Sequence, residues 1–222
     1  MRVQIQDYFT VFYDRMPDLV NGLYEHVILT VLAITLGCLI AIPLGIVLTR
    51  ISVGWVRSLT FNVTNVFQTI PSLALLAMLA PLLGFGMKAA IVALFLYSLM
   101  PILKNTYAGF DAIDPDIIQS AKGMGLHSFQ RLIQIEFPLA IPYIMSGLRL
   151  TTVYIVSWAV LAGLIGGGGL GEIILAALSL NNKPLVIASS IMAMILALVA
   201  DFCLGKVVEL FSKRSQPKTQ QI

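Results

Sequence analysis

Apolar residues in this chain come in long blocks, with the polar positions gathered between the blocks. Residues 27–48 carry no charge and hold a single proline, Pro43. Crossing a bilayer core takes about 20 residues of helix. An internal proline is tolerated there when neighbours re-satisfy the freed carbonyl. Arg50, Gly54 and Arg57 follow as a short basic loop. A second block, about 59–83, begins polar with Asn62, Thr64, Asn65, Gln68 and Thr69, and is interrupted by Pro71 and Pro81. Amides inside a membrane helix belong against protein or a water-filled path, not lipid. Gly84 and Gly86 mark a turn before the third block, 89–103, which has Pro101 near its end and Lys104 beyond it. The fourth block opens near Pro138, carries Arg149 and reaches about 165; the fifth, about 184–204, holds Asp201 near its end. The pattern predicts an all-α membrane protein of five transmembrane helices.

Composition supports the same class. Hydrophobic residues make up 58% of the 222 and charged residues 11%, against about 25% charged in an ordinary soluble domain. The net charge of +3 is spread between apolar blocks, which makes the basic residues topology signals and argues against a nucleic-acid partner. Cys38 and Cys203 lie inside apolar runs and read as small packed side chains. His26 and His127 stand alone at predicted helix ends, without further metal-type ligands. No Ser/His/Asp or Cys/His set suggests catalysis. The first residues are too polar for the core of a signal peptide.

With five crossings the two termini lie on opposite sides. An outside N-terminus places Arg50, Arg57, Lys104, Lys122, Arg131, Lys206, Lys213, Arg214 and Lys218 in the cytoplasm and leaves Arg2, Arg15, Lys88 and Lys183 outside, nine against four. The positive-inside rule selects that orientation. The expected organisation is an extracytoplasmic segment over 1–22, a membrane domain over 23–208 and a basic cytoplasmic tail over 209–222.

The cytoplasmic segment, 105–137, holds most of the internal charge. Asp114, Pro115 and Asp116 form a strong helix start: Asp caps orphan N–H groups, Pro suits the first helical position, and Asp116 complements the helix dipole. The expected helix covers 115–124 and ends at Gly123 or Gly125. A second short helix, capped at Ser128, should reach Glu136 and stop at Pro138. Ile117, Ala121 and Gly125 share one face by their spacing of four, small enough for another surface to approach closely. Without further information such a knob could be a plain surface hairpin.

Its residues, however, resemble a known pattern. Gln119, Ser120, Ala121, Lys122, Gly123, Met124 and Gly125, then nine residues, then Ile135, Glu136, Phe137 and Pro138 are similar to the "EAA" motif of binding-protein-dependent ABC importers. Ala121, Gly125, Ile135 and Pro138 match in identity, whereas Gln119, Ser120 and Phe137 depart from Glu, Ala and Leu. The likeness covers about 23–208 and implies a methionine-importer-like permease fold, with residues 116–125 as the coupling helix that docks on a separate ATPase subunit. More narrowly, the stretches 68–74 (Gln68 to Ala74), 97–107 and 165–171 resemble permeases for osmoprotectants such as glycine betaine, carnitine and choline. The resemblance implies paired permease subunits, identical or related, two ATPase subunits that bind ATP and Mg, and an extracytoplasmic solute-binding protein. It implies no cofactor in this chain. A permease for another small solute, an amino acid or a thiol-containing betaine, is the alternative within the class; a membrane scaffold is the alternative outside it.

The remaining polar features find roles in that frame. Asn65, Gln68, Thr69, Ser72 and Tyr97 are candidates for the translocation path. Gly166, Gly167, Gly168 and Gly169 lack the Lys-Ser/Thr pair of a phosphate loop; they read as a re-entrant or gate-lining loop, or as a flexible connection. Arg149 and Asp201 are expected to pair, to line an inner cavity or to snorkel to headgroups. The scarcity of other intramembrane carboxylates, and the absence of a P-loop, fit a machine powered by a separate ATPase rather than by protons or sodium.

Overall fold

The computed structural model describes residues 5–215, with side chains from Phe9 to Phe211. Lys213 and Arg214 fall beyond the described side chains, and Arg2 and Lys218 lie outside the described residues. No strand occurs among the described residues.

Helix α1 covers Ile5–Asp14 and leads directly into α2, Met16–Arg50. Part of the expected N-terminal segment is therefore helical, and the first span starts well before residue 27. Along α2, Ala33, Gly37, Ala41 and Gly45 are buried at every fourth position. They let the backbone approach α5, Met87–Asp111, whose Ser98, Ile102 and Thr106 stand at the same spacing: Cβ atoms at Gly37 and Gly45 would collide with Ser98 and Thr106. Small residues every four positions are how membrane helices gain close packing where lipid offers no hydrophobic drive. The opposite side of α2 shows Val31, Leu36, Leu39, Ile40 and Val47, an aliphatic surface suited to lipid.

The second block does not form one straight helix. It divides into α3, Gly54–Thr69, and α4, Ser72–Leu83, which meet at 95°. Pro71 disfavours helical geometry at the residue before it, and Ile70 is extended (φ −68°, ψ 128°). The Ile70 carbonyl, freed from the helix, accepts from the Tyr97 hydroxyl at 2.5 Å. Pro81, by contrast, stays inside α4.

Beyond α5 comes α6, Pro115–Gly123, then α7, Ser128–Arg131. The expectation that a second short helix ends at Pro138 is corrected here. Helix α7 passes through a π turn, Leu132–Glu136, into α8, Phe137–Ala159, and on through a 3-10 segment, Val160–Ile165. These form one 38-residue rod, Ser128–Ile165. In the π turn Phe137 N–H donates to Leu132 O, five residues back; the wider turn admits the ring of Pro138, which has no N–H to give. The short helix α9, Gly169–Ser179, returns toward α2, and α10, Lys183–Ser215, ends the described chain.

Among the described residues four helices are long and apolar enough to cross a membrane, and the bent α3–α4 pair passes the same test of length and composition when taken as one span. The main core gathers Leu29, Leu75, Leu94, Tyr97, Ile155 and Ala159 where α2, α4, α5 and α8 meet. The bundle thus has a knob end, formed by α6 and α7, and a glycine-loop end, where residues 166–169 lie.

Candidate functional site

The knob is built by local capping. Asp114 Oδ1 accepts from Asp116 N–H at 2.9 Å. At the other end of α6, Leu126 N–H donates to Ala121 O at 3.2 Å, with Gly125 at φ +81°, a conformation that favours glycine. The cap of α7 is His127, one residue before the expected Ser128: His127 Nδ1 accepts from Gln130 N–H, and Gln130 Oε1 accepts from His127 N–H, both at 3.2 Å. This reciprocal box leaves the short helix well defined.

Asp116, Gln119, Ser120, Lys122, Gly123 and Gly125 are exposed, Ile135 is half-buried and Pro138 exposed. Ala121 is buried at 1%. The face shared by Ile117, Ala121 and Gly125 is therefore split: Ala121 holds α6 to its own chain, while the outward apolar surface consists of Ile117, Met124 and Phe129, at 41%, 70% and 67% exposure. Among the described residues, neighbouring residues and own-helix backbone aside, nothing lies within 4 Å of a Cβ added at Gly123 or Gly125.

Directly behind the knob lies an ionic cluster that sequence reasoning missed. Glu136, 1% exposed, takes Arg131 Nε on Oε1 at 2.8 Å and pairs through Oε2 with Arg50 Nη2. Only the requirement that a carboxylate in an apolar context find a cation could have pointed to it, and several cations were eligible.

At the opposite end, Gly166, Gly168 and Gly169 have φ of +68°, +80° and +79°. Two carboxylates hold this loop: Glu25 Oε2 accepts from Gly169 N–H at 2.8 Å, and Glu172 Oε2 from Gly168 N–H at 3.1 Å. Next to Glu25, His26 Nε2 lies 2.9 Å from the Val156 carbonyl, where its N–H donates to α8. The loop borders a cavity of about 510 Å³, whose wall includes Arg15, Asp18, Glu25, Gly167 and Glu172. Glu25 was not legible as a loop anchor, because it is 144 residues from its partner; Glu172, only four residues from Gly168, offered a local signal that sequence reasoning passed over.

The five residues expected along a translocation path sit in different surroundings. Asn65 and Thr69 are exposed on α3; Gln68 and Ser72 are half-buried. Gln68 Nε2 donates to Tyr97 O at 3.3 Å. Tyr97 is 3% exposed, clips the α3–α4 break through its hydroxyl, and packs tilted against Trp158 with ring centroids 4.5 Å apart; Trp158 in turn stacks on Tyr154 at 5.8 Å. Tyr97 is a core residue of the bend, with no open face. Arg149 and Asp201 are joined by two bonds, Nε to Oδ1 at 2.6 Å and Nη2 to Oδ2 at 2.7 Å. Gly205 allows this: its absent side chain would stand 3.1 Å from Arg149 Cζ. Among the described residues no group of His, Cys, Asp or Glu is arranged to hold a metal.

Five candidate crossings, with an exposed, capped knob between the third and fourth and an anchored glycine loop at the far end, define a polytopic membrane protein. The chain belongs to the family of binding-protein-dependent transport system inner membrane components, whose model matches residues 41–216. It is 44% identical over 188 residues to a choline transport system permease protein of Bacillus subtilis (strain 168), covering 85% of this chain and 86% of that one. A glycine betaine/carnitine/choline transport system permease protein of the same organism is 44% identical over 181 residues, 82% of each chain. An inward-facing methionine ABC transporter has the same fold, with a TM-score of 0.78 at 23% identity, over 89% of this chain and 98% of that one. The chain is a membrane component of a transport system rather than an enzyme.

Proposed function

We propose that this chain is the permease subunit of an ATP-driven importer for a small quaternary-ammonium osmoprotectant such as choline, carnitine or glycine betaine. The observation that carries the permease role is the exposed, doubly capped knob between α5 and α8, with its outward surface of Ile117, Met124 and Phe129. The substrate class rests on the names of relatives that match this chain over most of its length.

In this reading the knob faces the cytoplasm and the N-terminus lies outside. An extracytoplasmic binding protein delivers the solute at the glycine-loop end. ATP, with Mg, binds a separate pair of ATPase subunits. Their closure pushes on residues 116–125, and two permease chains switch access from one side to the other. A knob that presents apolar side chains to water is unfavourable unless a partner covers them, which supports a docking role. Asn65, Gln68, Thr69 and Ser72 stand on or beside the polar half of the bent pair and supply its hydrogen-bonding wall; Tyr97 shapes the bend behind them. The intramembrane pair Arg149–Asp201 keeps two charges compensated in an apolar span.

Uptake by the purified complex in vesicles tests the substrate class. ATP-dependent accumulation of choline, carnitine or glycine betaine, unaffected by excess amino acids, is expected. Uptake of an amino acid with exclusion of every quaternary amine overturns the substrate assignment and leaves the permease assignment standing.

A further inference from the structure

Helix α2 is pinned at both ends by carboxylate bonds to the two functional regions. At the knob end its last residue, Arg50, pairs with Glu136, 86 residues away, whose side chain is 2% exposed. At the loop end Glu25 accepts from Gly169 N–H at 2.8 Å, and its neighbour His26 reaches Val156 O at 2.9 Å. Glu25 and Arg50 lie about 38 Å apart along a continuous helix. Between them the small-residue seam of Ala33, Gly37, Ala41 and Gly45 lies flat against α5.

The two bonds of Glu136 differ in what they join. Arg131 and Glu136 are five residues apart in one rod, and their bond braces the π turn. Arg50 ties that rod to a different helix. Otherwise the knob is loosely held, since Ala121 is the one buried residue of α6 and α7 has none. Apolar surfaces slide past one another. The Arg50–Glu136 bond resists such sliding, because Glu136 is buried and separation removes one of the two cations that neutralise it. The π turn beside this bond, Leu132–Glu136, is a break in the regular helical register of a kind frequent at functional sites.

We propose that α2 is the rod that links the knob to the glycine loop, with Glu136 and Arg50 as its joint at one end and Glu25 as its joint at the other. Displacement of the knob moves the rod through Arg50–Glu136, and the rod repositions Gly169 and the wall of the 510 Å³ cavity through Glu25. These are positioning residues; none need touch the solute. The inference rests on the coupling reading of the knob given above.

The test uses the complete transporter in proteoliposomes and reads ATP hydrolysed per solute imported. Arg50→Gln cuts the knob joint while leaving Glu136 paired with Arg131, and Glu25→Ala cuts the loop joint. Each is expected to raise the ratio at least about tenfold, the scale of typical coupling energies. The double variant is expected to match the worse single one, because a rod cut at both ends transmits no less than a rod cut once. Arg50→Lys, which keeps the charge, and Arg131→Gln, which loosens only the brace, should leave the ratio near that of the unaltered chain. Should Arg50→Gln fail to reach the membrane, Glu25→Ala carries the same comparison from the other end. An unchanged ratio in the single variants, or independent multiplicative effects in the double, overturns the proposal. If Gly125→Arg blocks uptake while Arg50→Gln transports normally, the coupling reading stands and the rod alone falls.

Discussion

Single side chains in this protein do specific mechanical work. The Arg149–Asp201 pair is bidentate and both partners are about two-fifths exposed, so its value lies in keeping two charges compensated within apolar helices. Replacing either residue alone by alanine is expected to lower the amount of inserted protein and its uptake; exchanging the two, Arg149→Asp with Asp201→Arg, should restore part of both. Quantitative immunoblotting of membranes and an uptake assay check this, and a double exchange no better than the single changes refutes direct pairing. Tyr97→Phe tests the bend: the Ile70 carbonyl would lose its donor, at about 1–3 kcal/mol, visible as a lower unfolding temperature in detergent. Gly171 has a purely steric role, since a Cβ there would overlap the Val160 backbone. Gly171→Val should prevent the folded protein from accumulating, whereas Gly54→Ala, with open space around it, should pass unnoticed.

Among the elements, the knob and the bent pair were legible to different degrees. Asp114, Pro115 and Asp116 announce α6 because an N-cap is a local signal: the donor and acceptor are two residues apart. The cap of α7 slipped by one residue because a histidine ring nitrogen can stand in for a serine hydroxyl when Gln130 answers it. Pro71 and Pro138 look alike in sequence, yet one breaks a helix and the other is absorbed by a π turn. What separates them is the neighbourhood, a Tyr97 hydroxyl ready for the freed Ile70 carbonyl in the first case and a wider helical turn in the second. At this scale the docking of the knob can be probed by bulk. Gly125→Arg projects into open space and should block ATP-dependent uptake while insertion remains normal. Gly125→Asn controls for strain, since asparagine tolerates positive φ, and should retain most uptake. Full uptake by the arginine variant contradicts docking at this face.

For the whole molecule, the orientation is the property on which the functional reading turns. With Cys38 and Cys203 replaced, a cysteine at Lys122 should react with an impermeant thiol reagent only from the cytoplasmic side, and one at Phe85, 77% exposed at the glycine-loop end, only from the outside. Labelling of both from the same side, or of the knob from outside, reverses the topology and removes the ATPase from reach.

Membrane residence, the five crossings, the helix start at Asp114 and the similarity to importer permeases were all determined by the sequence alone. Each depends on composition, on apolar length or on contacts within a few residues, and those quantities are written directly in the order of amino acids. Only the tertiary structure decided that Glu136 answers Arg50, that Glu25 holds Gly169, that Ala121 turns inward and that Tyr97 serves the bend. The physical reason is the same in every case. An apolar block tolerates many rotations and registers of its helix, and a charge or amide within it will accept any suitable partner. Which partner it meets is chosen by how the small residues of α2 and α5 let two backbones close together.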